Sequence, residues 1–318
     1  MTNNNNNNNN NDIRTNTKTN TKTNTKTKPG SLLNPFILFL TATVWGMGFV
    51  AQSKGMEYIG PFTFSSVRFF LAAMFLVPVC LIVYRKDLIK RINRDTVIAG
   101  LLCGVFLCIA TNFQQVGIKY TTAGKAGFIT SLYVVVVPVI SIFLKKKPSI
   151  IVWISVALSV VGLYFLCVKN GELSLSKGDG LELVCAVVYA IHIMIIDHYS
   201  DRAEGIIMSG IQFLVSAVLS LVLCLVFENP TVSHMLMAWK PLCYAGIVSG
   251  GIGYTLQIVG QKNVNPTLAS LIMCMESVVA AVAGLIILGQ KMSIRETVGC
   301  LLMLAAVVLC NVFSNNDK

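Results

Sequence analysis

The chain has 318 residues, 54% of them hydrophobic and only 12% charged, where an ordinary soluble domain carries about 25% charged residues. That supply of charge cannot cover a water-soluble fold, and the apolar runs near twenty residues that recur along the chain match the length that crosses about 30 Å of hydrocarbon. The formal net charge of +11 argues little for a nucleic-acid partner, because the basic residues fall mostly at helix ends and in an N-terminal tail, with clusters at Arg85 to Arg94 and Lys145 to Lys147, where they act as topology signals.

In chain order, residues 1–30 form an asparagine tract followed by a Thr-Asn-Thr-Lys repeat. With almost nothing apolar to bury, this segment is expected to be a disordered cytoplasmic tail. It lacks the short apolar segment and small-residue cleavage site of a signal peptide. Five spans are predicted over residues 31–169: Pro35 to Ser53, Phe62 to Tyr84, Val97 to Gly117, Ala123 to Leu144 and Ile150 to Val168. Five more follow over residues 178–313: Leu181 to Ile196, Ile206 to Phe227, Leu242 to Gly260, Thr267 to Leu288 and Ile294 to Val312. The connections are short and rich in turn residues, as at Gly60-Pro61, Asn229-Pro230 and Asn265-Pro266, and none could hold a soluble catalytic domain. Ten spans leave both termini on one side, and the excess of lysine and arginine on that side marks it as cytoplasmic. A multi-pass protein of the cell membrane is expected.

The two groups of five are related. A shift of 144 residues aligns Arg68-Phe69 with Gln212-Phe213, Trp45-Gly46 with Tyr189-Ala190, and Lys147-x-Ser149-Ile150 with Lys291-x-Ser293-Ile294. A shift of 143 aligns Gln114-x-Val116-Gly117-x-Lys119 with Gln257-x-Val259-Gly260-x-Lys262. Five is odd, so the second copy enters the membrane from the opposite side. The fold class is therefore an all-α membrane protein of ten transmembrane helices in two inverted five-helix repeats, an architecture recurrent among transporters.

Few polar residues fall inside the spans, and each has two readings. Glu276, mid-span, must be protonated, paired or wetted; it is a candidate for coupling or substrate binding, or a structural hydrogen-bonding residue. Arg68 pairs with Glu276, binds an anionic substrate group, or snorkels to the interface as Lys125 can. Gln114 and Gln115 share a face with Thr111, with Asn112 beside it, and Tyr254 shares one with Gln257 and Gln261; such faces line a cavity or join helices. Trp45, Tyr133 and Tyr189 line a solute path or fill the core. His192 is a lone histidine on an apolar helix. Pro138 is expected to bend the fourth span. Gly100 to Gly104 and Gly246 to Gly250 are Gly-xxx-Gly pairs suited to close helix approach.

All ten cysteines lie within or at the edges of spans, as packing residues and not as a disulfide or zinc framework. No phosphate loop, nucleophile elbow or metalloprotease motif is present, so no catalysis, cofactor or metal is expected. Trp45-Gly46-x-Gly48-Phe49, the run Gly124 to Tyr133 with Pro138, and Leu271 to Val278 followed by Leu288-Gly289-Gln290 resemble the EamA-type branch of the drug/metabolite transporter superfamily. The family usually has an acidic residue where this chain has Gln290. The resemblance implies secondary transport, often export, of amino acids, other metabolites or drugs through a cavity between the halves. A nucleotide-sugar or phosphorylated-metabolite exchanger is the related alternative, and a membrane-embedded enzyme the more distant one.

Overall fold

The computed structural model describes residues 32–121, 123–145, 148–167, 176–279, 282 and 293–314; the N-terminal tail lies outside them. All regular structure among the described residues is helical. The spans are α1 (Leu33–Gly55), α2 (Pro61–Tyr84), α3 (Arg94–Gly117), α4 in two segments (Ala123–Ser131 and Tyr133–Phe143), α5 (Ile150–Cys167), α6 (Lys177–Tyr199) and α7 (Gly205–Phe227). α8 runs through Trp239–Cys243, Tyr244–Tyr254 and Thr255–Gln261, α9 starts as Pro266–Met273, and α10 is Ile294–Ser314. Eight of the ten are long and apolar enough to cross a membrane by themselves; α5 and α9 are the shorter apolar pair, described over Ile150–Leu166 and Pro266–Val279.

Local chemistry sets the helix starts. Asn93 caps α3 by accepting from the Thr96 amide at 2.7 Å, and Asn265 caps α9 by accepting from the Thr267 amide at 2.9 Å. Pro61 and Pro266 stand in the first turns of α2 and α9, where a missing amide hydrogen costs nothing. Ser176 and Asp179 form a reciprocal capping box on α6. At α2 the Glu228 carboxylate, from the far end of α7, accepts from the amides of Phe62 at 2.9 Å and Thr63 at 2.8 Å.

The packing follows the inverted repeat. α2 packs on α7 and α5 on α10, while α3 packs on α6 and α7 just as α8 packs on α1 and α2. Exchanging the halves maps this set of pairs onto itself. Glycines make the crossings close. A Cβ on Gly162 would lie 2.8 Å from the Gly299 carbonyl oxygen, and one on Gly299 would lie 2.6 Å from that of Gly162. Gly100 and Gly104 press α3 against Ile211 and Val215 of α7, and Gly246 and Gly250 press α8 against Leu71 and Ala72 of α2. Both Gly-xxx-Gly pairs are thus packing devices. The repeat-related Phe69 and Phe213 stack at 5.9 Å between α2 and α7. Large apolar side chains such as Ile82, Phe143, Val226 and Phe227 remain exposed on the outer surface, where hydrocarbon is their solvent.

Two spans depart from straight helices. α4 is interrupted at Leu132 and α9 at Cys274–Met275, near-equivalent places in the two repeats. Pro138 is not the cause of the first break, which falls six residues ahead of it, and the second break has no proline. α8 is wound as a π-helix from Tyr244 to Tyr254, a rare form that widens the helix and often marks functional sites.

Candidate substrate cavity

A cavity lined by residues of both halves lies between them. Its lining follows from helix direction. α1 and α3 run away from the side of the termini and contribute Trp45, Gln52 and Gln114 from their middle and last thirds. α2 and α4 run back and contribute Arg68, Thr130 and Tyr133 from their first halves. Ile193, Gln257 and Met273 line it from the side of the termini, so the cavity spans the midplane. Toward the side of the termini, side-chain contacts join the helices: His192 Nε2 with Gln212 Oε1 at 3.1 Å, Ser209 with Thr255 at 2.9 Å, and Gln261 Nε2 donating to the Ile193 carbonyl at 3.1 Å.

An aromatic wall forms one side. The Trp45 and Tyr254 rings lie 4.6 Å apart, the Tyr189 and Tyr254 hydroxyls are 3.1 Å apart, and Trp45 Nε1 donates to the Ser249 carbonyl at 3.2 Å. The π-wound stretch of α8 puts Ala245, Ser249, Gly250 and Tyr254 all on the cavity.

Arg68 and Glu276 put a guanidinium and a carboxyl group on this cavity. Both are buried, both line it, and among the described residues neither forms an ion pair. Arg68 does not snorkel. Its guanidinium lies 4.8 Å from the Phe69 ring centroid and 5.7 Å from that of Phe64, a cation–π arrangement, and its Nε has no hydrogen-bond partner. Gly246 allows this placement, since a Cβ there would lie 2.7 Å from the Arg68 carbonyl oxygen. Glu276 begins the helical turn after the break in α9, and the neighbouring Ser277 hydroxyl meets that of Ser131, from the break in α4, at 3.3 Å. Gln52 Oε1, Tyr133 Oη and Gln257 Oε1 are further buried polar atoms of lining residues without a partner. A cavity so equipped can hydrogen-bond a polar solute from several sides.

Of the residues singled out from the sequence, Trp45, Arg68, Gln114, Tyr133, Tyr189, Tyr254, Gln257 and Glu276 line the cavity. Asn112 and Gln115 do not. Asn112 donates to Ser220 on α7 at 2.9 Å, and Gln115 is fully buried with both amide atoms unpartnered. Adjacent residues on a helix point about 100° apart, so the cavity takes Gln114 alone. The Lys125 side chain lies outside the described residues, as does Gln290. His192 is spent on Gln212 and stays off the cavity. Gln52, Thr130 and Ser249 line it without having been singled out.

The EamA-like transporter family model matches residues 33–168 and again 176–312, one match for each set of five helices. This chain belongs to the EamA-like transporter family. Among relatives, an uncharacterized transporter of Archaeoglobus fulgidus is 30% identical over 86% of this chain and 84% of its own length. The uncharacterized transporter YoaV of Bacillus subtilis is 25% identical over 86% and 92%. A solved crystal structure superposes with a TM-score of 0.72 at 16% identity, covering 90% of this chain and 98% of its own, which shows the shared fold. The EamA architecture and the ten helices agree: this is a multi-pass membrane transporter built from two inverted repeats.

Proposed function

We propose that the chain carries a small zwitterionic metabolite, an amino acid in the first instance, across the cell membrane by alternating exposure of the central cavity, with both termini on the cytoplasmic side. The observation that carries this reading is the pair Arg68 and Glu276, a guanidinium and a carboxyl group on one cavity that form no ion pair with each other. A carboxylate on the solute answers Arg68 and an ammonium answers Glu276, while the Trp45, Tyr189 and Tyr254 wall takes an apolar side chain. Export is the direction that the family resemblance implies, and the basic loops after α2 and α4 support the orientation. A phosphorylated solute would want several cations, and Arg68 is the one cation among the described lining residues.

Uptake and efflux of labelled amino acids and of a labelled sugar phosphate in proteoliposomes, with and without a pH gradient, tests the reading. Amino acids are expected to move in the native protein, with Arg68→Gln abolishing transport and Glu276→Gln abolishing its response to the gradient. Transport of the sugar phosphate alone would contradict it.

A further inference from the structure

Glu182 is a second buried carboxylate, on α6, outside the cavity lining and with 0% exposure. It packs into a notch on α3, where a Cβ on Gly117 would lie 2.6 Å from its Oε1. The inverted repeat supplies an internal control. Gly117 is equivalent to Gly260, and Glu182 is equivalent by the 144-residue shift to Leu38. Leu38 is also fully buried and fills the Gly260 notch in the same way, at 3.0 Å from a Cβ built there. Packing of α1 on α8 is thus achieved with leucine, and the same packing of α6 on α3 does not require an acid.

The carboxylate is wired to the cavity. Thr130, a lining residue two positions before the break in α4, donates its hydroxyl to Glu182 Oε2 at 2.7 Å. Gln114, also lining, reaches the Thr130 oxygen with Nε2 at 3.5 Å. Glu182 Oε1 has no hydrogen-bond partner. On α6, Asp179 and Cys185 are the ionisable neighbours, and Asp179 is already engaged by the Ser176 amide at 2.8 Å and the Thr121 hydroxyl at 2.5 Å. α3 presents Gly117 and Gln114 to this corner, and α4 presents Thr130; the Lys125 side chain of α4 lies outside the described residues.

We propose that Glu182 is a second proton-binding residue of the transport cycle, joined to the solute cavity through Thr130; this rests on the transport reading above. A proton from hydronium in the cavity bonds to the Thr130 oxygen as that hydroxyl's own proton passes to Glu182 Oε2, and release reverses both steps. Proton occupancy at Glu182 changes the hydrogen bond that holds α4 beside its break, and so biases the segment that carries Tyr133 and, through Ser131, touches the break in α9.

Infrared difference spectra of the full chain in proteoliposomes, recorded across a pH titration without solute, read the carboxyl groups directly. The native protein is expected to show a titrating carboxyl band that is lost in Glu182→Gln, retained in Glu276→Gln and displaced in Thr130→Val but not in Thr130→Ser. Glu182→Leu recreates the Leu38 arrangement; it is expected to fold, to lose the band, and to lose most of the accumulation of about tenfold that one pH unit can drive in a single-proton step, while downhill exchange continues. A titration unchanged in Glu182→Gln, or undiminished accumulation in Glu182→Leu, overturns the assignment. If the native chain moves no tested solute, the transport reading fails, and the carboxyl band still decides whether Glu182 binds a proton.

Discussion

α3 and α8 hold equivalent places in the two repeats, yet one is a regular α-helix and the other is π-wound over eleven residues. Both carry a Gly-xxx-Gly pair against a neighbouring helix, and both place a glutamine, Gln114 or Gln257, on the cavity. They differ in how much more they give it: α3 contributes Gln114 alone, while α8 adds Ala245, Ser249, Gly250 and Tyr254. The packing devices of the ancestral repeat are kept in both copies, and divergence concentrates where a solute would sit. Glu182 against Leu38 is a divergence outside the cavity lining, on α6 and α1.

The largest effect that tests this comparison is overpacking of the shared device. Gly104→Val and Gly246→Val should each destabilise the protein by about 1–3 kcal/mol, read as comparable losses in thermal unfolding in detergent. Only Gly246→Val should also abolish solute binding at temperatures where it remains folded, because it displaces the α2 backbone at Arg68. Equal binding by both variants would break the distinction. A smaller effect separates the two glutamines. Gln257→Leu removes a buried cavity group with a free acceptor and should weaken transport by about tenfold, a loss near 1.4 kcal/mol, whereas Gln114→Leu, whose amide is shared with Thr130, should weaken it less; the ratio of kcat/KM values measures this. The smallest is Tyr254→Phe, which deletes the Tyr189 hydroxyl contact at 3.1 Å. It should cost about 0.5–1.5 kcal/mol in solute affinity, with unfolding temperature nearly unchanged.

Much of the plan was legible in the residues. The shifts of 144 and 143 pair the residues that the structure places in equivalent positions, down to the stacked Phe69 and Phe213, because inverted copies conserve the packing face. Arg68 and Glu276 stood out because charge within a hydrocarbon span is costly. The breaks in α4 and α9 were not legible. Pro138 pointed to a bend further along, and neither Leu132 nor Cys274–Met275 carries a helix-breaking residue. Glu182 escaped notice because it lies early in its span, three residues after the capping Asp179, where acids at a helix start are ordinary. The signal was available in the mismatch of Glu182 with Leu38. Asn112 and Gln115 could not be separated from Gln114 by spacing, since three- and four-residue periodicity defines a broad face and the cavity touches only its edge.

The central claim is that one cavity opens alternately to the two sides of the membrane. Thiol labelling tests it most directly, with a membrane-impermeant reagent applied to either face of sealed vesicles holding Gln52→Cys or Thr255→Cys protein, each compared with the unsubstituted chain. Gln52→Cys should label from the face away from the termini and be protected by a transported amino acid. Thr255→Cys, hydrogen-bonded with Ser209 toward the side of the termini, should label from the opposite face, and only when the amino acid is present to drive turnover. Labelling of both positions from the same face, with or without the amino acid, would contradict alternating access and leave the cavity a one-sided binding site.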